Sequence, residues 1–107
     1  MVLDQRFEDI AMEIIANAGA ARGAAFNALT AAKNGNFEQA KELMNDSENY
    51  SRKAHTSHSE LLTMYTKGEI EHSDFLLSHA QDHFMCAELA RDLISEIIEL
   101  REYVERK

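Results

Sequence analysis

Apolar positions recur at alternating steps of three and four through almost the whole chain, the period of an α-helix that turns one face to a core. No strand-like alternation of useful length interrupts them. The first run, from about Asp4 to Asn34, places Phe7, Ile10, Ile14, Ala18, Ala21, Ala25, Leu29 and Ala32 on one stripe. The second opens at Asn36, an N-cap residue with Gln39 three positions on in a capping-box arrangement. It continues to about Lys67 with Phe37, Ala40, Met44, Ser47, Ser51, Ala54, His58, Leu61 and Tyr65 on its seam. The third starts near Ser73, a good N-cap with Asp74 in the first turn, and extends to about Glu105. Asn34-Gly35-Asn36 and Lys67-Gly68-Glu69 punctuate the three runs, and the chain has no proline. The pattern predicts an all-α fold: an antiparallel three-helix bundle, helices at about 4–34, 36–67 and 73–105, in one domain spanning 1–107.

The third helix carries more apolar surface than one seam requires. Phe75, His79, Asp82, Cys86, Leu89, Leu93, Ile97, Leu100 and Val104 form one stripe, while Leu76, Ala80, Ala87, Ile94 and Ile98 form a second apolar face. A helix apolar on two sides is buried on two sides. A three-helix monomer covers only one of them well, so self-association along this helix is expected. Polar groups in a packing seam need partners, because uncompensated burial costs on the order of 1–3 kcal/mol for a neutral group and more for a charge. A lone seam carboxylate is a defect in a monomer, but copies of Asp82 converging on a symmetry axis create a metal site. Three such aspartates would supply three oxygens to a hard cation such as Mg²⁺ or Mn²⁺, with waters completing an octahedron.

Composition narrows the partners. With 107 residues the chain is long enough to bury roughly two-thirds of its unfolded surface without staples. A formal charge of -8 argues against nucleic acid or an anionic membrane as the main partner. No apolar run approaches the roughly 20 residues that span a bilayer. Cys86 is the single cysteine, and Met1-Val2-Leu3-Asp4-Gln5-Arg6 lacks the pattern of a signal peptide, so a cytoplasmic location is expected. The small residues between Asn17 and Ala25 suit a tight helix crossing, or else leave space beside a site. Arg22 within them is either a phosphate or carboxylate ligand or an exposed helix arginine. His55 and His58 share a face at one-turn spacing, but Arg52 and Lys53 nearby disfavour a bound cation.

Three chemistries compete for the third helix. His79 and His83 have the i, i+4 spacing of a zinc pair, yet a metalloprotease helix would carry glutamate where Ala80 stands, and would need a third ligand. A Cys/His pairing fails on distance, since Cys86 lies about two turns from His79 on the same helix. What remains is a histidine acting as the nucleophile itself, one ring nitrogen taking a group while the other is held by a hydrogen bond.

His79-Ala80-Gln81-Asp82-His83, followed by Phe84-Met85, resembles the active-site motif of the lactose/cellobiose-type enzyme IIA component of the bacterial phosphoenolpyruvate-dependent sugar phosphotransferase system (PTS). The resemblance extends through Glu13-Ile14-Ile15-Ala16-Asn17-Ala18-Gly19 with Ala21-Arg22, the turn Ala31-Ala32-Lys33-Asn34-Gly35-Asn36-Phe37, Leu89-Ala90-Arg91, and Glu96-Ile97-Ile98-Glu99-Leu100. It implies a homotrimer of three-helix protomers. By the same resemblance, His79 accepts a phosphoryl group, on Nε2, from the phosphocarrier HPr. It then passes the group to a cysteine of the IIB component, which works with the membrane IIC component in uptake of a β-linked disaccharide of the lactose or cellobiose/chitobiose class. Asp82 is, by position, the ligand of a shared metal on the trimer axis. The IIA component handles no sugar, so the resemblance leaves the disaccharide open.

A helix interior offers no free backbone N–H to phosphoryl oxygens, so donors must be side chains. Gln81, His83 and residues of a neighbouring subunit are the candidates, with Gln81 weaker because it points away from His79. Partner contact is expected through an apolar patch of Phe75, Leu76 and Phe84. The alternative reading is a metal-binding helical oligomer that uses His79, Asp82 and His83 without phosphotransfer.

Overall fold

Glycine ends each of the first two helices. The computed structural model describes residues 2–69 and 75–107, and the side chains of 5–69 and 76–107. Helix α1 runs Val2–Lys33, α2 Phe37–Thr66 and α3 Phe75–Arg106. Gly35 (φ +80°) and Gly68 (φ +75°) occupy the left-handed region that side chains avoid. After α1, Asn36 N–H donates to the Ala31 carbonyl (2.9 Å) and Gly35 N–H to that of Ala32 (3.0 Å). After α2 the same pair of bonds joins Glu69 to Met64 and Gly68 to Tyr65, so each glycine closes its helix in a Schellman turn. Asn36 is at once the end of that turn and the N-cap of α2. Its side-chain oxygen accepts from Gln39 N–H at 3.1 Å, and its amide nitrogen donates to the Gln39 side chain at 3.1 Å. The expected cap at Ser73 with Asp74 lies outside the described residues.

The result is an all-α antiparallel bundle, 58 Å long and under 20 Å across, with no strand among the described residues. Helix α1 touches both of its neighbours extensively, whereas α2 and α3 meet sparsely. Alanine makes that arrangement possible. Ala18, Ala21, Ala25, Ala28 and Ala32 are essentially fully buried, so the other two backbones approach α1 closely. Gly19 and Gly23 take no part in the crossing: a Cβ added to either would meet nothing within 4 Å.

Two apolar clusters fill the bundle. One joins Ile10, Ala11 and Ile14 of α1 to Ala54, Leu61 and Met64 of α2 and Leu77, Ala80 and Phe84 of α3. The other gathers Ala28, Ala31, Ala32 and Ala40, with Phe37, Leu43, Met44 and Ile98 against them. Along α2 the seam carries three buried serines, each with a partner, as burial requires. Ser47 Oγ donates to the Ala21 carbonyl (2.6 Å), Ser57 Oγ to Glu13 (3.1 Å), and Ser51 Oγ to Glu88, which also lies 3.8 Å from Arg91. Arg101 of α3 donates to the Lys33 carbonyl at the C-terminus of α1 (3.2 Å), where a cation meets the negative end of the helix dipole.

Three expectations from periodicity are corrected. On α2 the buried line passes through Ser57 and Met64, leaving His58 half-buried and Tyr65 exposed, because the helix drifts relative to a strict three/four count over eight turns. On α1, Ala28 lies deeper than Leu29. On α3 the stripe containing His79 and Asp82 is not the internal seam. Leu77, Ala80, Phe84, Ala87 and Ile94 point inward, and Leu89, Leu93, Ile97, Leu100 and Val104 are 46–63% exposed. The protomer covers one of the two apolar faces of α3, as expected, but it is the face without the ionisable residues.

Phe84 anchors α3 by reaching α2, where the His58 ring stacks on it at 5.0 Å between centroids and His55 tilts against it at 6.2 Å. Burial, and then the neighbouring His55, push the His58 pKa below its ordinary value of 6.5. The folded state therefore binds fewer protons than the unfolded chain below pH 6.5, so stability is full above that value and falls as pH drops toward the lowered pKa. Thermal melts should show stability declining as pH falls below the ordinary value of 6.5, and the decline should be shallower in His58→Gln. An unchanged pH slope in the variant would remove His58 from the cause.

Candidate functional site

The rotation of α3 that buries Phe84 leaves His79 exposed and His83 half-buried. His79 and His83, one turn apart, stand perpendicular with ring centroids 4.5 Å apart and their Nε2 atoms 3.1 Å apart. At that separation one ring donates an N–H to the lone pair of the other. Asp82 and Cys86 are exposed on the same side.

Helix α1 supplies the opposite wall. Ala18 and Arg22 line, with His79, Asp82, His83 and Cys86, an open cleft of about 290 Å³. The small-residue stretch of α1 thus does two things, since its alanines make the helix crossing and Ala18 also leaves room beside the histidines. Arg22 is exposed, its guanidinium 5.2 Å from the Phe26 ring centroid, an attractive placement of cation over π-face. Placing Arg22 in the cleft needs the rotational setting of α1 against α3, which helical periodicity alone does not provide.

The remaining expected residues distribute differently. Gln81 is half-buried and does not line the cleft. Phe84 is a core residue and Leu76 packs partly against that core, so neither forms an open apolar patch; the side chain of Phe75 lies outside the described residues. Met85 is 66% exposed but does not line the cleft. His55 and His58 are tied to Phe84 and lie apart from the cleft walls. Among the described residues no three His, Cys, Asp or Glu side chains of one chain gather around a point that could hold a metal. Beyond the cleft, the exposed line Leu89, Leu93, Ile97, Leu100 and Val104 continues the stripe that Asp82 begins.

The fold and site define a helical protein that presents a paired, solvent-accessible histidine beside an arginine, with no helix among the described residues long and apolar enough to cross a membrane. Comparison with known proteins gives the family. Residues 9–102 match the model of the PTS lactose/cellobiose-specific IIA subunit, and the chain belongs to that family. It is 36% identical to the lichenan-specific phosphotransferase enzyme IIA component of Bacillus subtilis over 95% of this chain and 93% of that protein. The cellobiose-specific enzyme IIA of Bacillus anthracis superposes with a TM-score of 0.88 at 36% identity, covering 92% of this chain and 91% of the other. The IIA component of the N,N'-diacetylchitobiose branch of Escherichia coli, solved as a complex with HPr, superposes with a TM-score of 0.81 at 38% identity over 92% and 95% of the two chains.

Proposed function

We propose that this protein is the phosphohistidine carrier of a sugar phosphotransferase system. His79 takes a phosphoryl group from phospho-HPr and hands it to the cysteine of a IIB component during uptake of a β-linked disaccharide. The observation that carries this reading is the open His79–His83 pair, its Nε2 atoms 3.1 Å apart, in a chain of the IIA family. The solved complex of a relative with HPr supports the first partner.

Phosphoryl transfer passes through a loose, nearly in-line transition state, so the protein chiefly positions the group and offers donors to its oxygens. The lone pair of a neutral imidazole makes the attack. In the tautomer where His83 Nε2–H donates to His79 Nε2, that lone pair is held in the open cleft and oriented by one hydrogen bond. As the N–P bond to the donor imidazole breaks, a new N–P bond forms at His79. The departing ring regains a proton and the phosphorylated ring gives one up through solvent. Before the new N–P bond forms, the His83 N–H swings off the lone pair, and it then donates to a phosphoryl oxygen. The Arg22 guanidinium is the permanent cation among the residues lining the cleft, and it favours the dianion there. Transfer onward reverses the sequence with a thiolate as acceptor, giving neutral His79 back.

The exposed apolar line of α3 gives the reason to assemble. Covering each of its five side chains contributes on the order of 1 kcal/mol. Packed about a threefold axis, three copies of α3 would bring three Asp82 carboxylates together. Oxygen-only ligands of that kind suit a hard divalent cation such as Mg²⁺, whose charge would offset their repulsion. Asp82 fits this role in one respect, being exposed at the head of that same line.

Two outcomes test the reading. Incubation with phosphoenolpyruvate, enzyme I and HPr should give an acid-labile, base-stable phosphoprotein, and His79→Gln should carry none of that phosphate; equal labelling of the variant would reject His79. Light scattering should find a trimer in the wild type that melts lower after chelation. Asp82→Leu should be indifferent to chelator and as stable or more so, as replacement of buried ionic groups often is. A monomer, or a trimer insensitive to both changes, would refute the axial metal.

A further inference from the structure

We infer that the His79–His83 pair is also a site for a borderline-soft divalent cation, Zn²⁺ above all, which competes directly with the phosphoryl group. Two imidazole nitrogens bound to one tetrahedral zinc ion at about 2.0–2.1 Å lie about 3.3 Å from each other. The Nε2 atoms stand 3.1 Å apart before any ion arrives. The pair is therefore set close to ligand spacing without movement of the helix.

The exchange is simple in protons. The hydrogen between the two Nε2 atoms moves to Nδ1 of His83, both Nε2 lone pairs turn to the ion, and water fills the remaining positions. No third His, Cys, Asp or Glu joins the pair among the described residues, so the site is open and exchangeable rather than structural. Charge in the cleft is mixed: the Asp82 carboxylate favours a cation and the Arg22 guanidinium opposes it. Ligand type decides which cation enters. Imidazole selects Zn²⁺, Cu²⁺ or Ni²⁺, and Mg²⁺ prefers oxygen. The Nε2 of His79 is also the atom that takes the phosphoryl group in the function proposed above, so occupancy by metal and by phosphoryl are mutually exclusive. That competition rests on the carrier reading; the metal pair itself does not.

The test uses the full chain in chelator-free buffer with zinc chloride as probe. Proton resonances of the histidine rings, followed during titration, should shift for His79 and His83 in the wild type and in Asp82→Asn. In His83→Gln the remaining shift should require a much higher concentration. In parallel, the rate of phosphorylation from phospho-HPr is measured for each protein with zinc at about ten times the wild-type dissociation constant and again without it. At that concentration the wild-type rate should fall about tenfold, as simple competition demands, and the Asp82→Asn rate should fall severalfold, less than the wild type because the carboxylate favours the cation. The His83→Gln rate, whatever its starting value, should fall little, and magnesium chloride should slow none of them. Absence of ring shifts, equal zinc sensitivity in His83→Gln, or loss of sensitivity in Asp82→Asn would overturn the inference. So would zinc binding that leaves the wild-type rate unchanged. A wild type that takes no phosphate on His79 overturns the carrier reading instead, while the ring titration still decides the metal pair.

Discussion

The rotational setting of α3 about its own axis controls the rest of this molecule. Leu77, Ala80, Phe84, Ala87 and Ile94 are drawn inward because they meet a helix faced with alanine, and that setting leaves His79, Asp82 and Cys86 exposed and His83 half-buried. A turn of about 100°, one residue's worth, would bury the histidine pair and expose Phe84. Phe84 holds the setting by packing in the core and against two histidine rings of α2. Ala80, directly between His79 and Gln81, has no exposed surface, which fixes the helix at the site itself.

That dependence explains what the sequence could and could not reveal. Helix number and order, and the ends beside Gly35 and Gly68, were legible because each rests on local chemistry: three/four periodicity, Asn36 as cap, and two glycines at left-handed turns. The direction of the apolar faces of α3 was harder. Both faces satisfy the helical period, and the one with larger side chains, Leu89, Leu93, Ile97 and Leu100, reads as the core. The smaller face wins inside the protomer because α1 approaches closely through alanine and leaves little depth for leucine. Size ranks hydrophobic gain, whereas available volume ranks fit, and here the two disagree.

The candidate site was legible as residues more than as a place. The motif around His79 and its resemblance to a family were visible along one helix, but a cleft needs a second wall. Ala18 and Arg22, more than fifty residues away, were visible only as a small-residue stretch and an arginine with two readings. The polar character of α2 was likewise a signal without an address. Ser47, Ser51 and Ser57 proved to be buried and to donate to α1 and α3, so the serines on the predicted seam reported a polar interface and not an exposed face.

If His79 carries a phosphoryl group between two partners, as proposed, that role places opposing demands on it. Enclosure would keep water from the phosphohistidine but would also exclude the partners, so the histidine has to stay at the surface, where its ring orientation is least constrained. The His79–His83 contact would meet those demands with a side chain from the next turn of the same helix, orienting the ring through a hydrogen bond that opens before the lone pair attacks. Geometry of this kind is not selective in itself. Two imidazoles fixed 3.1 Å apart and open to solvent hold a lone pair ready for phosphorus and, for the same reason, for a transition metal. On the proposed reading, the accessibility that transfer requires would also open the pair to metal, against which the charge of the neighbouring Arg22 would act.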